Sequence, residues 1–218
     1  MSKQSEATGQ SAGASVNFSL RRLERLADVV FAFALLFLLV TIDLAPDGAA
    51  TAEKAYSYFF DQLNNSLGFV VSFLIIAYYW ITHQEYFNYY TGTNKTHTFI
   101  ELLYLMAIAG MPFNNDFITA YPMEVAPRLA ISSDIFFAGI LSFLSWSYAT
   151  SGNRLVDPAR VNPELVRFMR NQALVVPGFA IVGAGAAFVH PLAWDAVLTF
   201  GPLVAIFMIK RRTKIAGP

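Results

Sequence analysis

The chain has 218 residues, 56% of them hydrophobic, with 20 Phe and only 14% charged. A soluble domain carries about a quarter charged residues, so composition argues against a soluble globule, and a formal net charge of zero gives no support to a nucleic-acid partner. The absence of cysteine excludes disulfides, thiolate metal sites and thiol catalysis, and leaves the redox compartment open.

Residues 1–20 are polar and rich in Ser, Gly and Ala, and predict a disordered tail; no apolar core follows Lys3 within it, so it does not have the form of a secretory signal. Apolar segments follow at 26–44, 66–83, 98–118, 130–150, 172–189 and 192–209. Each approaches the ~20 residues a helix needs to cross ~30 Å of hydrocarbon. Asp134 is a candidate start for the fourth segment, because the charge follows RLAISS. The fifth holds Pro177 and a GAGAA tract at 183–187, which suits close helix packing by small residues. The short HPLAWD link then predicts a tight helical hairpin into the sixth. The aromatic stretches 78–90 and 145–148 suit interfacial belts.

Basic residues orient these spans. With the N-terminus inside, only Lys54 and Arg128 of the 15 Lys and Arg fall on the outer side. That positive-inside bias also requires an even number of spans. The expected fold is all-α: a polytopic membrane protein of six transmembrane helices over 21–212, with a tail at 213–218 and both termini cytoplasmic. The runs are continuous and do not alternate, which excludes a barrel.

The first apolar helix has a pattern of its own. At about 100° per residue, Val29, Leu36 and Val40 fall within about 60° of Phe33 and form one stripe, with Asp47 and Asp43 continuing it at the outer end. Asp28 lies on the far side, facing the protein's own bundle. Periodicity alone does not separate a pore-lining stripe from a face that packs or meets lipid. For Asp28 in the first turn, compensation of the helix dipole is one sufficient role, and pairing with Arg22 or Arg25 is another.

The segment Arg22-Leu-Glu-Arg-Leu-Ala-Asp28 resembles the Arg-x-x-x-Phe-Ser-Asp signature that opens the first helix of the transmembrane protein 175 family. These are endosomal and lysosomal potassium channels, with bacterial relatives of one six-helix unit per chain. The resemblance runs on through VVFAFALLFLLVTIDLAP. It continues at Trp80 and His83, similar to the family's Trp-x-x-His, and at Pro112-Phe113 closing the third helix, so that it covers roughly residues 22 to 121. Leu26 and Ala27 depart from the signature's Phe and Ser, and Leu36 stands where many members carry a polar residue.

The resemblance implies a potassium-permeable channel in a bacterial inner membrane, a homotetramer whose pore is lined by the first helix of each subunit. It places Phe33 at an apolar constriction with Leu36 and Val40 as further rings, in place of a carbonyl filter, and Asp43 and Asp47 at the outer mouth. A narrow apolar neck gates by dewetting. It further implies a polar network at the cytoplasmic end of the pore helix. Trp80 and His83 share a face at i, i+3, so Asp28 is expected to accept hydrogen bonds from Trp80, His83 or both, with Arg22 the other signature member. On helical spacing Arg22 falls on the pore side, which fits poorly with a place inside the bundle. The partners implied are the bilayer, further copies of the chain and potassium ions, with no cofactor. The alternative is a membrane protein of the same fold that does not conduct potassium, serving as a scaffold or as a proton or small-molecule pathway.

Other chemistry finds little footing. His83, His97 and His190 show no metal-ligand spacing, and there is no phosphate-binding loop and no nucleophile elbow, so no enzyme is expected. Arg154, Arg160, Arg167 and Arg170 are too loosely spaced to define a lipid site from sequence.

Overall fold

A computed structural model describes residues 19–40 and 52–215; among the side chains, most of 52–68 and most of those beyond Gly201 are excluded. Among the described residues seven α-helices follow one another: α1 Leu20–Val40, α2 Ala52–Phe87, α3 Lys95–Ala120, α4 Val125–Thr150, α5 Pro163–Ala173, α6 Val175–Ala187 and α7 Pro191–Ile215. As far as the described residues go, each of the six apolar segments falls on a helix, the first up to Val40 and the fifth drawing on the end of α5 and all of α6. Three stretches among the described residues are long and apolar enough to cross a membrane: Lys95–Ile118, Val125–Asn153 and Pro163–Ala187. α1 carries Arg21, Arg22, Glu24, Arg25 and Asp28 in its first half and is uncharged only from Val29 onward.

Local chemistry sets the helix ends. Asn94 caps α3, its side chain accepting from His97 N at 3.0 Å. Asn162 does the same for α5 at Leu165 N, 2.7 Å, with Pro163 at the first helical position, where its missing N–H costs nothing. α4 ends at Thr150, and the chain turns away two residues on at Gly152, whose φ of +64° is left-handed and suits glycine. The two loops at this end join: Thr91 N donates to Leu155 O at 2.8 Å, and Tyr90 bridges to Val156.

α4 begins at Val125, so Asp134 lies well inside the helix and does not start it. Asn114 Nδ2 donates to its Oδ2 at 2.5 Å, and the space over Gly110 leaves room for the carboxylate. Arg128, assigned to the outer side by topology, is buried in the first turn of α4. Its guanidinium sits 5.6 Å from the Trp194 ring and donates to Glu124 O. The expected hairpin is present between α6 and α7. Within the small-residue tract, Gly183 packs on Leu198 and Trp194 of α7, whereas Gly185 faces open space.

α3 packs on α4 and α1, while α6 packs on α4 and α7. The main core joins Ala27, Phe31, Ala34 and Leu38 of α1 to Ile75, Ile76, Tyr104 and Ile108, and reaches Ile135, Val176 and Leu198 across the bundle. A second, more aromatic cluster of Leu23, Tyr86, Phe87, Tyr90, Trp146 and Met169 closes the end that carries α5. Buried hydroxyls here find carbonyls on neighbouring helices: Tyr79 on Ile135 O (2.6 Å), Tyr104 on Tyr79 O (3.1 Å), Tyr86 on Met169 O (3.0 Å). In surroundings without water each such bond fixes one helix against another, because an unmade bond costs the whole desolvation of the group.

Candidate functional site

α1 is buried along one face, Leu23, Ala27, Phe31, Ala34 and Leu38, at spacings of three and four. This face carries the small residues Ala27 and Ala34, and α1 packs with α3 and α2. The stripe of Val29, Phe33, Leu36 and Val40 lies on the opposite side. Those four side chains are 50, 54, 55 and 70% exposed within the single chain. Among the described residues no other helix covers them. Asp43 and Asp47, expected at the outer mouth, lie outside the described residues.

Asp28 sits on the flank of α1 between these two faces, and is exposed where the bundle interior was expected. Its Oδ1 accepts from Trp80 Nε1 at 3.2 Å and from Gln84 Nε2 at 2.7 Å, both on α2. The carboxylate thus ties α1 to α2 at the bundle surface, beside an open groove lined by Phe31, Ala32 and Leu35. Gln84 was not anticipated, although it falls one helical turn after Trp80, where i, i+4 spacing puts it on the same face. His83 does not join them. One residue from Gln84 but about 100° around the helix, it turns into the core. Arg22 is exposed, and its guanidinium has no hydrogen bond or ion pair among the described residues.

His83 enters a separate polar cluster around Glu101 of α3. His83 Nε2 and Glu101 Oε2 are 3.2 Å apart, and the Ser145 hydroxyl donates to Glu101 Oε1 in a short bond. Ser145 Oγ lies 3.1 Å from His97 Nε2 and 3.2 Å from the Tyr90 hydroxyl, and His97 Nδ1 lies 2.8 Å from Thr93 Oγ1. One proton assignment satisfies the whole chain. Thr93 donates to His97 Nδ1, His97 Nε2–H and Tyr90 donate to Ser145, Ser145 donates to Glu101, and His83 Nε2–H donates to the second carboxylate oxygen. Every donor converges on Glu101, which accepts only, as an ionised carboxylate does. Glu101, His83, His97 and Ser145 are all buried.

A carboxylate this deep stays only where donors replace its water. The His83 ring is stacked 4.1 Å from Phe87 and nearly parallel to Tyr104, and Phe31 of α1 leans on it at 5.8 Å. The core face of α1 therefore rests directly on the cluster. Glu101 escaped sequence reasoning because the spacing sought was His-x-x-x-His; the signal present was His97-x-x-x-Glu101, one turn apart on one face.

These features define an all-helical membrane-type bundle whose first helix is tied down by one face and bare along the other. Residues 22–112 match the family model described as the endosomal/lysosomal potassium channel TMEM175. A potassium channel of Streptomyces collinus is 30% identical over 174 residues, spanning 77% of this chain and 82% of that protein. A potassium channel of Chamaesiphon minutus is 25% identical over 171 residues, 77% of this chain and 84% of that one. The chain belongs to the TMEM175 potassium channel family. Its fold is similar to the crystal structure of a lysosomal potassium-selective channel TMEM175 homolog from Chamaesiphon minutus, with a TM-score of 0.72 at 20% identity over 88% of this chain and 97% of that one. It also resembles a variant of the potassium channel MtTMEM175 solved with a nanobody–MBP fusion, at a TM-score of 0.58 and 14% identity over 94% of this chain and 98% of that one.

Proposed function

We propose that this chain is one subunit of a potassium-permeable channel of a bacterial inner membrane, crossing it six times with both termini inside. Four copies assemble with α1 at the axis. Phe33 forms the narrowest ring, Leu36 and Val40 form further rings toward the outside, and Asp43 and Asp47 raise the local cation concentration at the mouth, an effect that salt screens. The supporting observation is the bare face of α1. A helix that buries Leu23 through Leu38 against its own bundle presents Phe33, Leu36 and Val40 outward in register, inside the part of the chain that matches the family. A ring of Phe side chains excludes a continuous water column, so widening it or wetting it opens the path. The Asp28 bonds to Trp80 and Gln84, together with the Glu101 cluster under Phe31, act as positioning contacts that hold α1 upright; none of these residues touches the permeant ion.

A second reading has one observation in its favour: the bare stripe has no polar side chain, since Leu36 stands at the position where a polar ring would strip or select ions. On that reading the same assembly does not conduct potassium. Flux into liposomes separates the two. Purified protein, with a potassium or a sodium gradient, is compared with Phe33→Ala and with empty liposomes. Potassium flux that rises in Phe33→Ala supports the pore; flux of neither ion above empty liposomes, in either protein, supports the non-conducting assembly.

A further inference from the structure

Helices α5 and α6 share one outward stripe that changes character along its length. Leu174, the single residue between them, keeps helical angles (φ −91°, ψ −7°), and Gly178 N still reaches its carbonyl at 3.0 Å. Faces therefore carry across the junction. Exposed in sequence along the stripe are Arg167, Arg170, Leu174, Gly178, Ile181 and Gly185, while Met169, Ala173, Val176 and Ala180 are buried beneath it. The cationic part ends where the apolar part begins.

This stripe belongs to the part of the bundle remote from the pore helix. α6 packs on α4 and α7, whereas α1 packs on α3 and α2. With α1 at the axis, the outer face of α6 meets lipid, so the inference rests on that proposed arrangement and on nothing about conduction. From Leu174 to Ala187 the helix rises about 20 Å at 1.5 Å per residue, about two-thirds of the ~30 Å of a hydrocarbon core. Arg170 and Arg167 stand one and two turns beyond its inner end, at the depth of lipid phosphates.

The four arginines of this region are not equivalent. Arg154 lies 4.9 Å from the Tyr148 ring, and Arg160 Nη2 donates to Asn88 O at 3.1 Å. The guanidiniums of Arg167 and Arg170 have no hydrogen bond or ion pair among the described residues. The nearby carboxylate of Glu164 occupies the first turn of α5, where the positive end of the helix accommodates it, and makes no ion pair with Arg167. Two uncommitted guanidiniums one turn apart can each offer paired N–H donors to phosphate oxygens.

We infer that Arg167 and Arg170 form a docking surface for the headgroup of an anionic phospholipid, whose acyl chains lie along Leu174, Gly178 and Ile181. A Cβ at Gly178 would meet nothing within 4 Å, which leaves a shallow notch for a chain at that level.

The test is thermal unfolding of the full-length protein in neutral detergent, titrated with phosphatidylglycerol, with phosphatidylcholine, or with soluble glycerol phosphate. Phosphatidylglycerol is expected to raise the midpoint, and the other two to leave it unchanged. An arginine near an anionic headgroup contributes about a fivefold change in affinity, so R167Q/R170Q should raise the half-saturating concentration about thirtyfold. R154Q/R160Q removes the same charge from the same end and should raise it less than about threefold. In the unmutated chain, higher salt should weaken the titration. Equal loss in the two double variants would reduce the effect to bulk charge and overturn the site. Equal stabilisation by phosphatidylcholine, or by glycerol phosphate alone, would overturn the lipid assignment. Failure of potassium flux would leave these outcomes readable, and failure here would leave the pore reading in place.

Discussion

At Gly139 of α4 the ring of Pro177 on α6 occupies the space a side chain would need, and this gives the sharpest test of the bundle. A Cβ built there would lie 1.9 Å from Pro177 Cγ and 2.6 Å from its Cδ, with the Tyr79 hydroxyl at 3.0 Å. Ordinary contact begins near 3.4 Å, so Gly139→Ala requires α4 and α6 to part by about 1.5 Å or the proline ring to be displaced. Tyr79 offers little slack, because its hydroxyl is committed to Ile135 O one turn earlier in α4. Overpacking at a site that cannot give costs about 3 kcal/mol, which for a chain of this size lowers the unfolding midpoint by about 6–12 °C.

The assay is thermal unfolding in detergent followed by tryptophan fluorescence, since Trp146 and Trp194 are buried. It is run as a cycle with Pro177→Ala, which removes both offending ring atoms. Pro177→Ala alone should cost about 1 kcal/mol for the ring it withdraws from the core. The double variant should lie within about 1 kcal/mol of Pro177→Ala, so that the two changes are strongly non-additive. A midpoint within about 2 °C of the parent for Gly139→Ala, or simple additivity in the double variant, would refute the packing described.

Three further outcomes follow from the site. Glu101→Ala strands His83, His97 and Ser145 in the core and should cost about 3–5 kcal/mol, read as a fall in unfolding midpoint several times that of Ser145→Ala, which removes one hydroxyl for about 1 kcal/mol. Asp28→Leu, which loses both the Trp80 and Gln84 bonds at an exposed position, should cost about 1–2 kcal/mol. Asp28→Asn keeps an acceptor oxygen and should cost less. In liposome flux neither substitution at 28 should change the ratio of potassium to sodium, because the carboxylate faces α2 and not the stripe. Phe33→Ala should raise cation flux while leaving the unfolding midpoint within about 2 °C, since a side chain this exposed buries little apolar area within its own chain.

Much of this molecule could be read from the chain alone, because in a membrane-type sequence apolar runs and helices coincide. Without water to satisfy them, backbone groups must bond within the segment, and an apolar run of ~20 residues has few other choices. The outward stripe of α1 was legible, and the buried face opposite it was shown by the structure. Residues 23, 27, 31, 34 and 38 recur at the helical period, and so do 29, 33, 36 and 40 on the other side, even though the period could not say which face would be buried. The position of Asp28 was only half read: spacing put it off the stripe, and Trp80 within reach, but only packing showed that the buried face centres on the other flank of the helix, about 100° away from Asp28.

Only the tertiary structure decided the rest. Whether His83 met Asp28 or Glu101 depended on the rotation of α2 about its own axis, which is set by where Tyr78, Tyr79 and Tyr86 find carbonyls on other helices. Glu101 and Ser145 come from two helices and Tyr90 and Thr93 from a loop, with 44 positions between Glu101 and Ser145, and no local period links them. Asp134 looked like a helix boundary because a charge usually is one; Asn114 and the open side of Gly110 let it sit within α4. Arg128 looked like a loop residue, and Trp194, sixty-odd positions away, gave it a buried place. Local sequence determines where helices form, since each turn bonds to itself. Which polar side chains meet inside the bundle is determined by the angles at which the helices pack, and those belong to the whole chain.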